Sequence, residues 1–316
     1  VLNATGYYAC RLPDEGYEEL YPTRDLPTSG SFHPRGRADV VPGGYLVSGR
    51  WDWGSGKSVA EHVIGGCFVF DEAGQPLIAP HTGRQAVIAA WLPNDAITHI
   101  DNWSVLGQRA SGSASYCIDE PVFVPAAHTF DREFLPNAAG DPLNKHVTTV
   151  FYGLLGVHLG LAQHAVDLAY AAVERRAGGA GAGAGKVDTA TQRLLGQAIA
   201  EVDVATAYVL DVARRTDDIL FTPGRLLTPA EQARQDTVNL MTGQALHRVL
   251  DIATELYGSY FVYDDDPMNR VARDAAVALS HAGAKPMHWT HTAATALDHS
   301  GGATTLFDEP LVATTR

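Results

Sequence analysis

Hydrophobic positions along the chain change their period near residue 140. Before that point come short apolar runs: "GGYLVSGRW", "EHVIGGCFVF", "QAVIAAWL", "DNWSVLG", "SASYCI" and "PVFVP". Gly, Pro, Asn and Asp separate them, a spacing that predicts an antiparallel sandwich or barrel over residues 30–128. From residue 141 onward the steps are three and four: Val147, Val150, Phe151, Leu154, Leu155, His158, Leu161, Ala165, Leu168 and Val173 share one helix face. Asp141-Pro142 suits its N-terminus, and "GGAGAGAG" (178–185) ends it as a flexible connector. A second helix is expected from Asp188 to Asp217. A third starts at "LTPAEQ", where Thr228 caps, Pro229 takes the first turn and Glu231 closes a capping box, and it stops at Gly258. A fourth follows Asp266 as cap and Pro267. Helices of about 30 residues are about 45 Å long, so four of them make a long bundle whose faces also suit subunit contacts.

Bulk properties narrow the partners. A chain of 316 residues suggests two compact units. A net charge of −13 and a pI near 5.4 argue against nucleic acid or an anionic membrane as the main partner. Cys10, Cys67 and Cys117 are far apart and form no C-x-x-C pair, which fits a reducing cytoplasm with thiols as small apolar packers. No apolar run reaches the roughly 20 residues needed to span a bilayer. The opening "VLNATGYYAC" lacks the basic start of a signal peptide and reads as the end of an amphipathic helix.

Most chemical motifs fail on spacing. Gly56-Lys57-Ser58 resembles the end of a phosphate loop, but the glycine required five residues before Gly56 is Trp51, and Asp52 would repel a phosphate. No G-x-S-x-G elbow occurs. His158 and His164 lie among apolar neighbours and read as core or interface histidines. His288 and His291, in "HWTH", have no cysteine or carboxylate at metal-ligand spacing, so no metal is expected. Capping and the helix dipole suffice for Asp264-Asp265-Asp266. Two stretches remain. In "RWDWGSG", Trp51 and Trp53 are expected on one strand face before Gly54-Ser55-Gly56. In "DNWSVLGQRASGSASYCIDEPVFVP", an aromatic strand enters an Arg-Ala-Ser-Gly-Ser turn. Small residues admit close backbone approach, hydroxyls donate, and an indole covers an apolar face, as a flat heteroaromatic cofactor requires. On the residues alone, the pair reads equally as a ligand cradle or as ordinary turns beside tryptophan.

The ordered series "GGYLVSGRWDWGSG", "WSVLGQRASGSASYCIDEPVFVP" and "DPMNRVARDAAVALSHAG", preceded by "SGSFHPRGRA", resembles the acyl-CoA dehydrogenase superfamily along almost the whole chain. Within it the chain is most similar to oxygenase components of two-component (group D) flavin-dependent monooxygenases of the hydroxyphenylacetate hydroxylase type. The resemblance implies an α+β multidomain fold: an N-terminal helical domain, mostly absent, whose end and linker occupy residues 1–29; a central antiparallel β domain; and a C-terminal four-helix bundle over 129–316. By the same resemblance Trp53 lies against the flavin, with Gly54 beside it. Ser55 hydrogen-bonds toward N5 or O4, Ser31 and Phe32 cover the other side, and Arg109, Ser111 and Ser113 line the second turn. The catalytic glutamate of one large dehydrogenase class falls on Ala282, which cannot abstract a proton. His281 stands beside it as general base.

The implied activity is oxygenation of a small aromatic or amine-bearing substrate through a C4a-hydroperoxide. It uses FMNH2 or FADH2 from a separate reductase, in a cytoplasmic homotetramer. The alternatives are a thioester-desaturating acyl-CoA dehydrogenase with a displaced base, and a non-catalytic helical-bundle binding module.

Overall fold

The computed structural model describes residues 8–23, 26–80, 82–131, 152–178, 185–222, 226–281 and 284–297. The chain divides into two compact units, one of Val1–Val105 with Arg109–Val150, the other of Leu106–Gln108 with Phe151–Arg316.

In the first unit a short helix, α1 (Asp14–Leu20), precedes β1 (Thr28–Val41), β2 (Gly44–Trp51), β3 (His62–Phe70), β4 (Val87–Leu92), β5 (Thr98–His99), β6 (Tyr116–Pro125) and β7 (Thr129–Asp131). They form one sheet in the order β5-β6-β2-β1-β3-β4-β7. Gly43, at φ 83°, turns β1 into β2 as a tight hairpin. Since β6 takes the far edge of β2, β3 pairs with the other edge of β1 and runs parallel to it, with a shift of register between Ser31 and Gly36. The sheet is therefore mixed rather than wholly antiparallel.

Trp51 explains two glycines of this unit, Gly36 and Gly65. Its indole is fully buried, stacks on Tyr116 at 5.4 Å and donates from Nε1 to the Gly66 carbonyl at 2.8 Å. A Cβ on Gly36 would stand 2.3 Å from its ring, and one on Gly65 2.6 Å, so these two glycines leave room for an indole, whereas a Cβ on Gly66 would meet the Phe32 carbonyl at 2.4 Å. Cys67 belongs to the same core, where burial pushes its thiol pKa up. A second core joins Tyr8, Leu12, Tyr21, Ile64, Trp91 and Phe130, tied by the Tyr21 hydroxyl to Thr28 Oγ1 (2.6 Å) and by Trp91 Nε1–H donating to that hydroxyl (2.8 Å).

The second unit holds α2 (Tyr152–Gly178), α3 (Thr189–Leu220), α4 (Pro229–Tyr257), α5 (Pro267–Ala278) and α6 (Met287–Leu297). Local chemistry sets the starts. Asp188 accepts from Ala190 and Thr191 N–H, Asp266 accepts from Met268 N–H, and Thr228 with Glu231 forms the reciprocal box. Helix α4 packs against α2, α3, α5 and α6. Its core is rich in small residues, Ala162, Ala165, Ala169, Ala198, Ala253 and Ala275, around Leu246, Val249 and Met268.

The three long helices have about the expected length, but the fourth is only 12 residues. It closes where Leu279 and Ser280 N–H return to Ala275 and Val277, and "HWTH" opens a separate helix. The expected start at Asp141-Pro142 lies outside the described residues, as does 179–184 of the Gly/Ala stretch. Thr228→Ala removes the acceptor for Glu231 N–H and is expected to cost about 1 kcal/mol. It should lower the thermal midpoint of helix loss by circular dichroism, with Thr228→Ser restoring it.

Candidate functional site

Trp53 departs from the strand that precedes it. Strand β2 ends at Trp51, and Trp53 adopts φ 69°, an unusual value for a bulky residue. That residue inverts the alternation, so the two indoles do not share a face: Trp51 is in the core, while Trp53 is 59% exposed. Strain of this kind, about 1–3 kcal/mol, tends to be retained where function requires it. Trp53 meets Trp103 edge-on at 5.6 Å, and Trp103 Nε1 is buried with no hydrogen-bond partner among the described residues.

Two turns are clipped together next to this indole. Gly54 N–H donates to Ala114 O (3.1 Å) and Gly56 N–H to Ser111 O (2.8 Å). A Cβ on Gly54 would lie within about 3 Å of Tyr116 and the Ala114 carbonyl, so only glycine permits the approach. The clip aligns three hydroxyls: Ser55 Oγ is 2.6 Å from Ser113 Oγ, which is 2.8 Å from Ser111 Oγ. Ser29 Oγ–H donates to the Ser55 carbonyl at 2.9 Å. Ser31 N–H donates to Tyr116 Oη at 2.8 Å, and Tyr116 in turn donates to the Ile64 carbonyl. Burial raises the Tyr116 pKa, so the phenol stays protonated for that bond.

Other expected site residues lie apart from the serines. Phe32 points to the opposite face of β1 from Ser31, against Tyr8 and Phe130. Arg109 is exposed, and its Nε–H donates to the Val105 carbonyl (3.0 Å). Lys57 donates from Nζ to the Ile100 carbonyl (3.3 Å), which makes the Lys of the apparent phosphate loop a brace between loops. Sequence reading missed Ser29, Trp103 and the Asp52 network. Ser115 Oγ–H donates to Asp52 (2.7 Å), Asn102 Nδ2–H donates to Ser115 Oγ (2.9 Å), and Arg35 pairs with Asp52 at 3.6 Å. The available signal was the density of small polar residues between two tryptophans.

In the helical unit His281 occupies the turn after α5, its N–H donating to Ala278 O (3.2 Å) and its carbonyl accepting from Ala284 N–H (3.0 Å). The residue is exposed at the surface of the unit, yet surrounding protein atoms and then the Lys285 charge hold its pKa below the ordinary histidine value. Ala282, where the dehydrogenase glutamate would stand, lies outside the described residues. Asp274, of "RDA", accepts from Gln108 N–H, and its carbonyl accepts from Gln108 Nε2–H (3.1 Å). A Cβ on Gly107 would meet the Arg273 carbonyl at 2.2 Å. His158 is fully buried with Nδ1 3.2 Å from Thr242 Oγ1, as a core histidine should be, whereas His164 is exposed. Among the described residues, no group of three His, Cys, Asp or Glu is placed to hold a metal, and no helix is long and apolar enough to cross a membrane.

Residues 152–286 match the family model described as acyl-CoA dehydrogenase, C-terminal domain. The solved 3-HSA hydroxylase from Rhodococcus sp. RHA1 superposes with a TM-score of 0.83 at 21% identity, over 93% of this chain and 76% of that one. The chain has an acyl-CoA dehydrogenase-like fold, and its helical unit matches that family's C-terminal domain. A second solved structure, XiaF from Streptomyces sp. in complex with FADH2 and glycerol, gives a TM-score of 0.80 at 21% identity over 93% and 74% of the two chains. By sequence the chain is 27% identical over 301 residues to the flavin-dependent monooxygenase oxygenase subunit HsaA of Rhodococcus jostii. That alignment covers 90% of this chain and 75% of the relative.

Proposed function

We propose that this chain is the oxygenase component of a two-component flavin-dependent monooxygenase. On this reading it takes reduced FMN or FAD from a separate reductase and oxygenates a small aromatic or amine-bearing substrate. The observation that carries the proposal is the Ser55-Ser113-Ser111 hydroxyl row held beside an exposed, left-handed Trp53. These residues fit a flavin on three counts. Gly54 brings backbone within reach of a ligand, the Trp53 indole offers an apolar face, and Trp103 Nε1 is a buried donor without a partner among the described residues.

When bound, the reduced flavin supplies the electrons that activate O2. The residues of the chain bind, orient and exclude water. Ser55 would offer the flavin a hydrogen bond, and the exposed Trp53 indole would cover it against bulk water. Ser31 supports the same site, with its amide held on Tyr116. Phe32 contributes through the aromatic cluster behind β1, and Arg109 through charge at the rim. His281 accepts the proton of a substrate hydroxyl or amine, and its lowered pKa keeps it neutral and ready to do so near neutral pH. A cytoplasmic homotetramer completes the reading, supported by the long exposed helix faces that carry Ile199, Val204 and Leu210.

Anaerobic titration with FMNH2, FADH2 and the oxidised flavins tests the assignment. At least one reduced flavin is expected to bind about tenfold or more tightly than its oxidised form. Failure of both reduced flavins to bind would sink the proposal. A tightly held oxidised flavin that bleaches with an acyl-CoA would replace it with thioester desaturation.

A further inference from the structure

The three serine hydroxyls do more than line a site. Each has one proton and two lone pairs. In the Ser55–Ser113 and Ser113–Ser111 contacts, at 2.6 and 2.8 Å, either oxygen can donate. A row of this kind has two self-consistent settings. In one, Ser111 donates to Ser113 and Ser113 donates to Ser55, leaving the Ser55 proton to point outward. In the other, Ser55 donates to Ser113 and Ser113 to Ser111, leaving a Ser55 lone pair outward. Passing between them needs only three C–O rotations, with no proton transferred and no heavy atom displaced.

Flavin chemistry asks for that choice. N5 of oxidised flavin is a bare acceptor, whereas N5 of reduced flavin carries a hydrogen and donates. We propose that Ser113 is a positioning residue which, through this reversible row, lets Ser55 donate to oxidised N5 and accept from reduced N5–H. The inference rests on the placement of Ser55 at the flavin. Ser113 suits the part because it is only 6% exposed and touches both neighbours, so water does not substitute for it. The backbone clips from Gly54 to Ala114 and from Gly56 to Ser111 keep the oxygens in register.

The row predicts an asymmetry. Without the Ser113 hydroxyl, Ser55 can still donate outward. To accept from N5–H, however, it must send its own proton elsewhere, and the Trp53 carbonyl at 3.5 Å is at the limit of a hydrogen bond. Ser113→Ala should therefore weaken reduced-flavin binding about tenfold, the worth of one hydrogen bond, while oxidised-flavin affinity changes by about twofold or less. The ratio of the two affinities sets the midpoint potential of the bound flavin, so that potential should fall. A purely structural role would weaken both forms alike.

The test is titration of the full chain with oxidised flavin in air and with reduced flavin anaerobically. It uses wild type, Ser55→Ala, Ser113→Ala, Ser113→Thr and Ser111→Ala. Ser113→Thr keeps a hydroxyl and is expected to restore the ratio, and Ser111→Ala should shift it in the same direction by a smaller factor. Should Ser113→Ala fail to fold, the Ser111→Ala ratio decides the matter. Equal weakening of both redox forms by Ser113→Ala, or an unchanged ratio, overturns the relay while leaving Ser55 at the flavin. If Ser55→Ala alters neither affinity, the placement of Ser55 fails and the relay with it.

Discussion

Ser55→Ala is expected to hasten hydrogen peroxide release from the enzyme loaded with reduced flavin by about a hundredfold, the usual scale for removing one positioned hydrogen-bond group at a reacting centre. The reason lies in the proton at N5. In the proposed site Ser55 Oγ accepts from N5–H and passes its own hydrogen bond to Ser113 at 2.6 Å. An alanine leaves that hydrogen without a fixed acceptor, so water or the departing oxygen can take it. Mixing the anaerobic loaded enzyme with oxygenated buffer and following peroxide by a coupled peroxidase reports the rate without knowledge of the substrate. Ser55→Thr, which keeps the hydroxyl, should remain near wild type. A peroxide rate for Ser55→Ala equal to that of wild type would remove Ser55 from the chemistry.

What could be read in advance followed the range of the interaction. The caps at Thr228 and Asp266 need only residues two or three apart, and each stands where the sequence placed it. The runs that became β2, β3, β4 and β6 were likewise visible, because alternation and turn residues are local, whereas "DNWSVLG" holds no strand. The parallel pairing of β1 with β3 was not, since it depends on β6 occupying the far edge of β2 from about 70 residues downstream in the chain. Trp51 and Trp53 were expected on one face because period two assumes continuous strand, and a single positive φ at Trp53 breaks that assumption. The fourth helix was drawn too long because its hydrophobic steps resume at "HWTH" after an interruption that periodicity averages over.

The candidate site divides in the same way. Ser55, Ser111 and Ser113 could be named singly, by resemblance, but their hydroxyl row joins positions 58 residues apart and exists only after the sheet closes. The separation of Ser31 from Phe32 was within reach of sequence, because adjacent strand residues point to opposite faces. Ser29 carried no spacing that distinguishes it from an ordinary strand residue, and Trp103 was marked only by the small polar residues between it and Trp53.

His281→Ala is expected to reduce oxygenation of small phenols or aromatic amines by about 10²- to 10⁴-fold, the range for loss of a general base. Peroxide release in the absence of substrate should stay close to wild type, which separates this defect from that of Ser55→Ala. The pH profile carries the sign. A base must be neutral to accept a proton, so activity is lost as pH falls through the His281 pKa. Packing around the ring lowers that pKa first and the Lys285 ammonium lowers it further, placing the acid limb below the ordinary histidine range. His158 also feels the charge on His281, so the two imidazoles disfavour joint protonation. Removing the cation in Lys285→Met should move the acid limb upward, part of the way to the ordinary value, since the larger contribution, desolvation by surrounding protein atoms, remains. Product formation measured by mass spectrometry across pH, on whichever phenol of a small panel turns over, reads both effects. An acid limb that stays in place in Lys285→Met, or one that survives in His281→Ala, assigns the essential base to another residue.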